Sequence, residues 1–109
     1  MSSLFSVIAH ALVSGAPIIS HHDAETHEIG DQVIKVMVLP KGAAVIKHVH
    51  PYTHAHILGK GRIMLEINGE SREYLAPAVI EIQAGKHHGI TALEDSVGFC
   101  VHDRTQLEV

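Results

Sequence analysis

An all-β sandwich or barrel is predicted by three features of this chain. From Gln32 onward it divides into short runs rich in Val, Ile and Leu, broken every few residues by Gly, Pro or Asn. One break is an Asn-Gly pair, Asn68-Gly69, between two strand-like runs, and it marks a hairpin because both central residues need a positive φ. No helical period separates the runs, which excludes a parallel βαβ architecture. The length of 109 residues is that of one domain.

Taken in order, the first element is the apolar stretch Leu4 to Val13. Ser2 or Ser3 can cap a short helix there, and Gly15 with Pro17 would end it. A secretory leader is disfavoured, since no Lys or Arg precedes the stretch and His10 interrupts it. It is also too short to span a bilayer. Residues 1–17 are therefore read as an N-terminal helical or apolar segment that packs or forms a dimer contact, and 18–109 as the folded domain. Ser20 to Thr26 is polar and reads as a linker loop. Strands are expected over Gln32–Leu39, Ala44–His50 and His54–Leu58, with Pro40-Lys41-Gly42 and Pro51 between them and a bend or bulge at Gly59-Lys60-Gly61. Arg62–Ile67 alternates, with Ile63, Leu65 and Ile67 on one face. Glu70–Leu75 returns from the hairpin, and Pro77 stops it. Val79–Ile82, His88–Leu93 and Val97–His102 follow, with a turn at Ala84-Gly85.

Composition narrows the function classes. Hydrophobic residues are 46% and charged residues 18%, with a mean hydropathy of +0.17, which is globular rather than disordered. Aromatics are 4% and Trp is absent, so the core must come from Val, Ile, Leu and Ala. The net charge of −4, without a basic stripe, argues against binding a nucleic-acid backbone. Cys100 stands alone, which rules out an intrachain disulfide and a cysteine zinc site, and a reducing cytoplasmic setting is expected.

The outlier is histidine, at 11 positions. His48, His50, His54 and His56 crowd one short segment, and His87 and His88 follow. Along a strand, residues i and i+2 share a face about 6.6 Å apart. His48 and His50 would thus converge on one ion with metal–nitrogen bonds of about 2.0–2.1 Å. His54 can join them only if the chain turns at Pro51-Tyr52-Thr53, which would fold it back beside His50 on a neighbouring strand. His88 arrives just after the Gly85 turn. Four imidazoles meeting inside a barrel would make a metal site. A structural zinc site would ordinarily use cysteines and be closed.

The spacing resembles that of the cupin family, whose first motif is G-x5-H-x-H-x3,4-E-x6-G. Gly42, His48, His50, His54 and Gly61 fit it, with His54 where the family usually has Glu. Of the second motif, G-x5-P-x-G-x2-H-x3-N, Gly85 and His88 fit, while Pro77, Gln83 and Ala92 depart from it. The resemblance implies a double-stranded β-helix (jelly roll, cupin barrel). It also implies His48, His50, His54 and His88 as ligands to one divalent transition metal ion per chain: Mn, Fe, Ni, Cu or Zn. Imidazole suits several of these, so ligand type does not choose among them. Four neutral ligands leave the full charge on the ion and strengthen it as a Lewis acid.

Around this set, His56 shares the strand parity of His54. It reads either as a substrate acid/base or as a hydrogen-bonded core histidine. Tyr52, in the turn at the barrel mouth, is a second candidate to touch substrate. His87 should face away from His88, and His21, His22 and His27 should be solvated. Cys100 shares a face with His102 and reads as a small buried hydrophobe. Gln83 can line the opening. Glu66, Glu70, Arg72 and Glu73 read as a charged outer face. The expected function is that of a metal-dependent enzyme on a small organic molecule, first a dioxygenase-like oxidoreductase. A redox-neutral lyase or isomerase and a non-catalytic ligand-binding domain are the alternatives. A small-molecule ligand and a second copy of the chain, in a homodimer, are the expected partners, with neither nucleic acid nor membrane.

Overall fold

Glycine and proline breaks delimit most of the strands. The computed structural model describes residues 18–20, 24–46 and 50–105. These hold ten strands: β1 Ile18–Ser20, β2 Glu25–Ile29, β3 Gln32–Leu39, β4 Ala44–Ile46, β5 His54–Lys60, β6 Arg62–Ile67, β7 Glu70–Leu75, β8 Ala78–Ile82, β9 His88–Ala92 and β10 Ser96–Asp103. No helix occurs among the described residues, and the helix expected within 1–17 lies outside them. The strands form two five-stranded sheets, ordered β1-β4-β9-β6-β7 and β2-β3-β10-β5-β8. Every pairing is antiparallel except that of β1 with β4. The all-β class and the double-stranded β-helix are thus present.

The hairpin forms where expected. Asn68 and Gly69 both take positive φ, 47° and 86°, the conformation a two-residue turn demands. Gly59 is an inserted residue in β5, because the register steps from Leu58 opposite Gly98 to Lys60 opposite Val97. Two expectations are corrected. Ser20–Thr26 is not wholly loop: Ser20 ends β1 and Glu25 begins β2. All five β2 side chains are exposed, so backbone pairing at a sheet edge holds the strand and no apolar alternation announces it. Of the strand expected over Ala44–His50, Ala44–Ile46 forms β4, residues 47–49 lie outside the described residues, and His50 is not in a strand but just before the bend at Pro51 and Tyr52.

The interior has two ends. Inward positions change character along each strand: Val33, Lys35, Met37 and Leu39 on β3; His102, Cys100, Gly98 and Ser96 on β10; His54, His56 and Leu58 on β5. His88, Ile90 and Ala92 on β9 do the same in the other sheet. One end is therefore an aliphatic core that includes Leu39, Val45, Leu58, Ile63, Ile82 and Ile90. The other end gathers the histidines. The apolar end supplies the burial that fixes strand register, and the register then sets the imidazoles side by side.

Candidate metal centre

Each histidine of the cluster is positioned by a different local device. His54 opens β5 with its side chain inward. His88 opens β9 opposite Ile67, also inward. His50 is held by its backbone: its carbonyl accepts a hydrogen bond from Gly85 N at 2.9 Å. Thr53 Oγ1 accepts another from Ala84 N at 3.1 Å. These two bonds dock the 50–53 segment, which leads into His54, onto the turn that precedes His88. His50 lies in no strand: it belongs to the connection between β4 and β5, which are in opposite sheets, whereas His54 opens β5.

The rings of His50, His54 and His88 form a triangle, with centroids 5.3 Å apart for His50–His54, 6.0 Å for His50–His88 and 5.9 Å for His54–His88. All three are buried. Imidazoles sharing one ion at about 2.0–2.1 Å per bond would have centroids roughly 5 Å apart. The observed triangle is wider than that by an ångström at most. His88 Nδ1 lies 3.1 Å from Lys86 O, and since a carbonyl only accepts, the proton sits on Nδ1 and the lone pair on Nε2. This is the orientation that a backbone carbonyl imposes on metal-ligating histidines. Among the described residues, no group of three His, Cys, Asp or Glu side chains is already arranged to hold an ion. His48, the fourth expected ligand, lies outside the described residues. Three imidazoles packed ring to ring are nonetheless donors of the kind that suits a divalent transition metal.

Tyr52 is more central than its turn position implied. It is buried, stacks on His50 at 5.2 Å, and lies 6.0 Å from His54 and 5.1 Å from His102. His56 is fully buried one step deeper, with Nδ1 3.4 Å from Cys100 Sγ. His87 is exposed, as expected, and its amide donates to Asn68 Oδ1. His27 is exposed in β2, with Nε2 2.6 Å from Glu25 Oε2; His21 and His22 lie outside the described residues. Ala92, in the position where the motif has Asn, is buried in the aliphatic core, and its amide donates to Ala43 O.

One residue escapes a reading by composition. Lys35 is only 6% exposed and faces inward from β3, opposite Cys100, which in turn stands opposite His56. His102 closes the cluster through Tyr52. Glu70 and Arg72 are also reassigned. They stand opposite Ile67 and Leu65 and, with Tyr74, Gln83 and Lys86, line a cleft of about 490 Å³, whereas Glu73 pairs with Arg62 at 3.1 Å. A second cleft, of about 440 Å³, reaches His54 and His102 past Thr53, Ala55, Val79 and Asp103. Both are large enough for a small organic ligand. Asp103, on the rim of the second, accepts hydrogen bonds from the Thr105 amide and hydroxyl at 2.8 and 2.7 Å. These bonds, with a smaller pull from His102, hold its carboxyl below the ordinary value and keep it ionised at neutral pH.

No family model and no curated relative matches the chain. Solved structures do. A cupin-2 domain-containing protein from Shewanella frigidimarina superposes with a TM-score of 0.65 at 17% identity, over 77% of this chain and 82% of that one. An RmlC-like cupin family protein with a double-stranded β-helix fold, from Methanocaldococcus jannaschii, gives 0.64 at 20% identity over 73% and 77%. KdgF from a Halomonas species gives 0.61 at 22% identity over 69% and 71%. At these identities the likeness shows the fold. Among the described residues, no helix is long and apolar enough to cross a membrane.

Proposed function

We propose that this chain, which has the cupin fold, is a metal-dependent enzyme acting on a small organic molecule, with a dioxygenase-like oxidation as its reaction class. His48, His50, His54 and His88 would hold one divalent transition ion, drawn from Mn, Fe, Ni, Cu and Zn. The observation that carries this reading is the buried triangle of His50, His54 and His88, with the His88 proton fixed on Nδ1 by Lys86 O. When bound, such an ion supplies a Lewis-acid centre with its charge undiminished by anionic ligands.

The chain's own residues define the rest. The 440 Å³ cleft admits the ligand to His54 and His102. Lys35, buried and facing inward opposite Cys100, adds a cation to the interior behind that cleft, which favours a substrate bearing a carboxylate or another anionic group. Tyr52 and His56 are the candidates to move a proton. Tyr52 lies against two of the ligand rings, whereas His56 is packed against Cys100. That contact of Tyr52 favours a second reading, a redox-neutral lyase or isomerase, in which a proton donor beside the ion is needed and a redox-active metal is not.

The test is elemental mass spectrometry on protein purified without a histidine tag, comparing wild type with His54→Ala. The expected result is about one ion per chain and a loss of affinity above ~100-fold in the variant, since even outer partners of metal ligands are worth 10–100-fold. Iron, copper or manganese would favour oxidation and zinc the redox-neutral reading. Absence of tight binding to any of the five would overturn the metal reading and leave a ligand-binding domain. Lys35→Met tests the substrate class: the Michaelis constant for an anionic substrate should rise about 10–100-fold, as for loss of a hydrogen bond to a charged group, with metal content unchanged.

A further inference from the structure

β7 runs against the pattern of its neighbour. The inward positions of β6 are Ile63, Leu65 and Ile67, and they stand opposite Tyr74, Arg72 and Glu70. Residues directly opposite in an antiparallel pair share a face, so β7 turns two charges and a phenol toward the interior. Inward charge on an edge strand guards it against pairing with other chains, and β7 is an edge. That role asks nothing of the facing wall. Yet Glu81 on β8, with Gln83 and Lys86 in the turn that follows, lines the same cleft of about 490 Å³ as Glu70 and Arg72. None of His50, His54 and His88 lines it. Its charges are held apart rather than paired. Arg62, on the other face of β6, pairs with Glu73 at 3.1 Å and Glu94 at 3.3 Å, whereas among the described residues Arg72 and Lys86 make no ion pair.

We propose that this cleft binds a small zwitterion, a molecule that carries both a carboxylate and an ammonium group, as a free amino acid does. The charge balance selects the class. Arg72 and Lys86 offset Glu70 and Glu81, so the lining carries no net charge but presents both signs. A simple anion would be drawn to the two cations and repelled by the two glutamates, and a simple cation would meet the reverse. A ligand with both charges satisfies both pairs. Arg72 presents the planar fork of donors that grips a carboxylate with two parallel hydrogen bonds. Glu70 lies two residues away on the same face, about 6.6 Å along the strand, and accepts from the ammonium. That spacing suits two charges only a few bonds apart. Leu65 and Ile67 give the cleft an apolar patch for the rest of the molecule, and its volume suffices. The inference does not rest on the metal reading.

Isothermal titration calorimetry with the common L-amino acids as probes tests it, with circular dichroism to confirm that each variant is folded. At least one amino acid should bind with a dissociation constant of about 1 mM or below. The same molecule without its ammonium, or without its carboxylate, should bind about tenfold more weakly or worse. Arg72→Gln and Glu70→Gln should each weaken binding by about 10–100-fold, as for loss of a hydrogen bond to a charged group, and both positions are exposed, so the fold should tolerate them. Arg62→Gln, which removes a cation already paired outside the cleft, should bind as wild type does. His54→Ala should also bind the amino acid as wild type does, which separates this outcome from that of the metal reading. Failure of every amino acid to bind in the millimolar range overturns the proposal. So does undiminished binding to Arg72→Gln. A deaminated acid that binds as tightly as its parent overturns it too, and would make the cleft a plain anion site.

Discussion

Gly61→Ala should cost about 4 kcal/mol or more, a large part of the stability of a domain this size. Gly61 joins β5 to β6 with φ +91°, and an added Cβ would fall on Ser96 Oγ, 2.5 Å from Asp95 O and 2.8 Å from Ser96 Cα. Two of these three atoms are backbone. The third is fixed as well, because Ser96 Oγ accepts from Arg62 N at 3.1 Å and donates to Glu94 O at 2.9 Å. Asp95 is tethered in turn by Lys41 N, which donates to its Oδ1 at 2.8 Å. Nothing near the new methyl can give way without breaking the β9–β10 connection. Gly69→Ala is the control. Its φ is nearly the same, +86°, but no atom lies within 4 Å of the added Cβ. It should pay only the left-handed backbone cost of about 1–2 kcal/mol. Urea unfolding of the two variants separates the effects, and equal losses would show that the dihedral alone accounts for Gly61.

The same contrast explains which parts of the structure were legible from the sequence. Turns written in Gly and Asn announce themselves, so the Asn68-Gly69 hairpin, the irregularity at Gly59 and the Gly85 turn could all be placed. Inward strands with aliphatic alternation did so too, as Ile63 and Leu65 show. β1 and β2 did not: one is three residues long, and the other is exposed along its whole length, so neither carries a periodic signal. In the candidate site, strand parity was enough to set His54 and His88 inward. It could not show that His50 is held through its carbonyl by Gly85, because that bond joins two connections far apart in sequence, each crossing between the sheets. Lys35 is hard to place because a charged residue in a β-rich run reads as solvent-facing, although its parity with Val33 and Met37 puts it inside. The nearness of Cys100 to His56 depends on the β5–β10 register, which no local pattern encodes.

That register also underlies the second large effect. Gly98→Ala should destabilise the protein by about 1–3 kcal/mol, the usual range for overpacking, because its Cβ would stand 2.7 Å from His56 Nε2 and 2.8 Å from Cε1. The imidazole has little room to retreat. It is fully buried, and Cys100 Sγ lies 3.4 Å from Nδ1 on its other side. Glycine at position 98 is therefore the vacancy that lets β5 carry a histidine between Ile80 and Cys100 on the ladder. His56→Ala should be destabilising by itself, through loss of a buried ring. Combining the two should cost less than their sum, since the alanine methyl at position 98 enters space the imidazole has left. A double-mutant cycle by urea denaturation should yield a favourable coupling of about 1–3 kcal/mol, within the range for residues in contact. Strict additivity would mean that the ring can move aside and that Gly98 does not position it. Coupling of the expected sign would instead tie the orientation of His56, two residues along the strand from His54, to a glycine on β10.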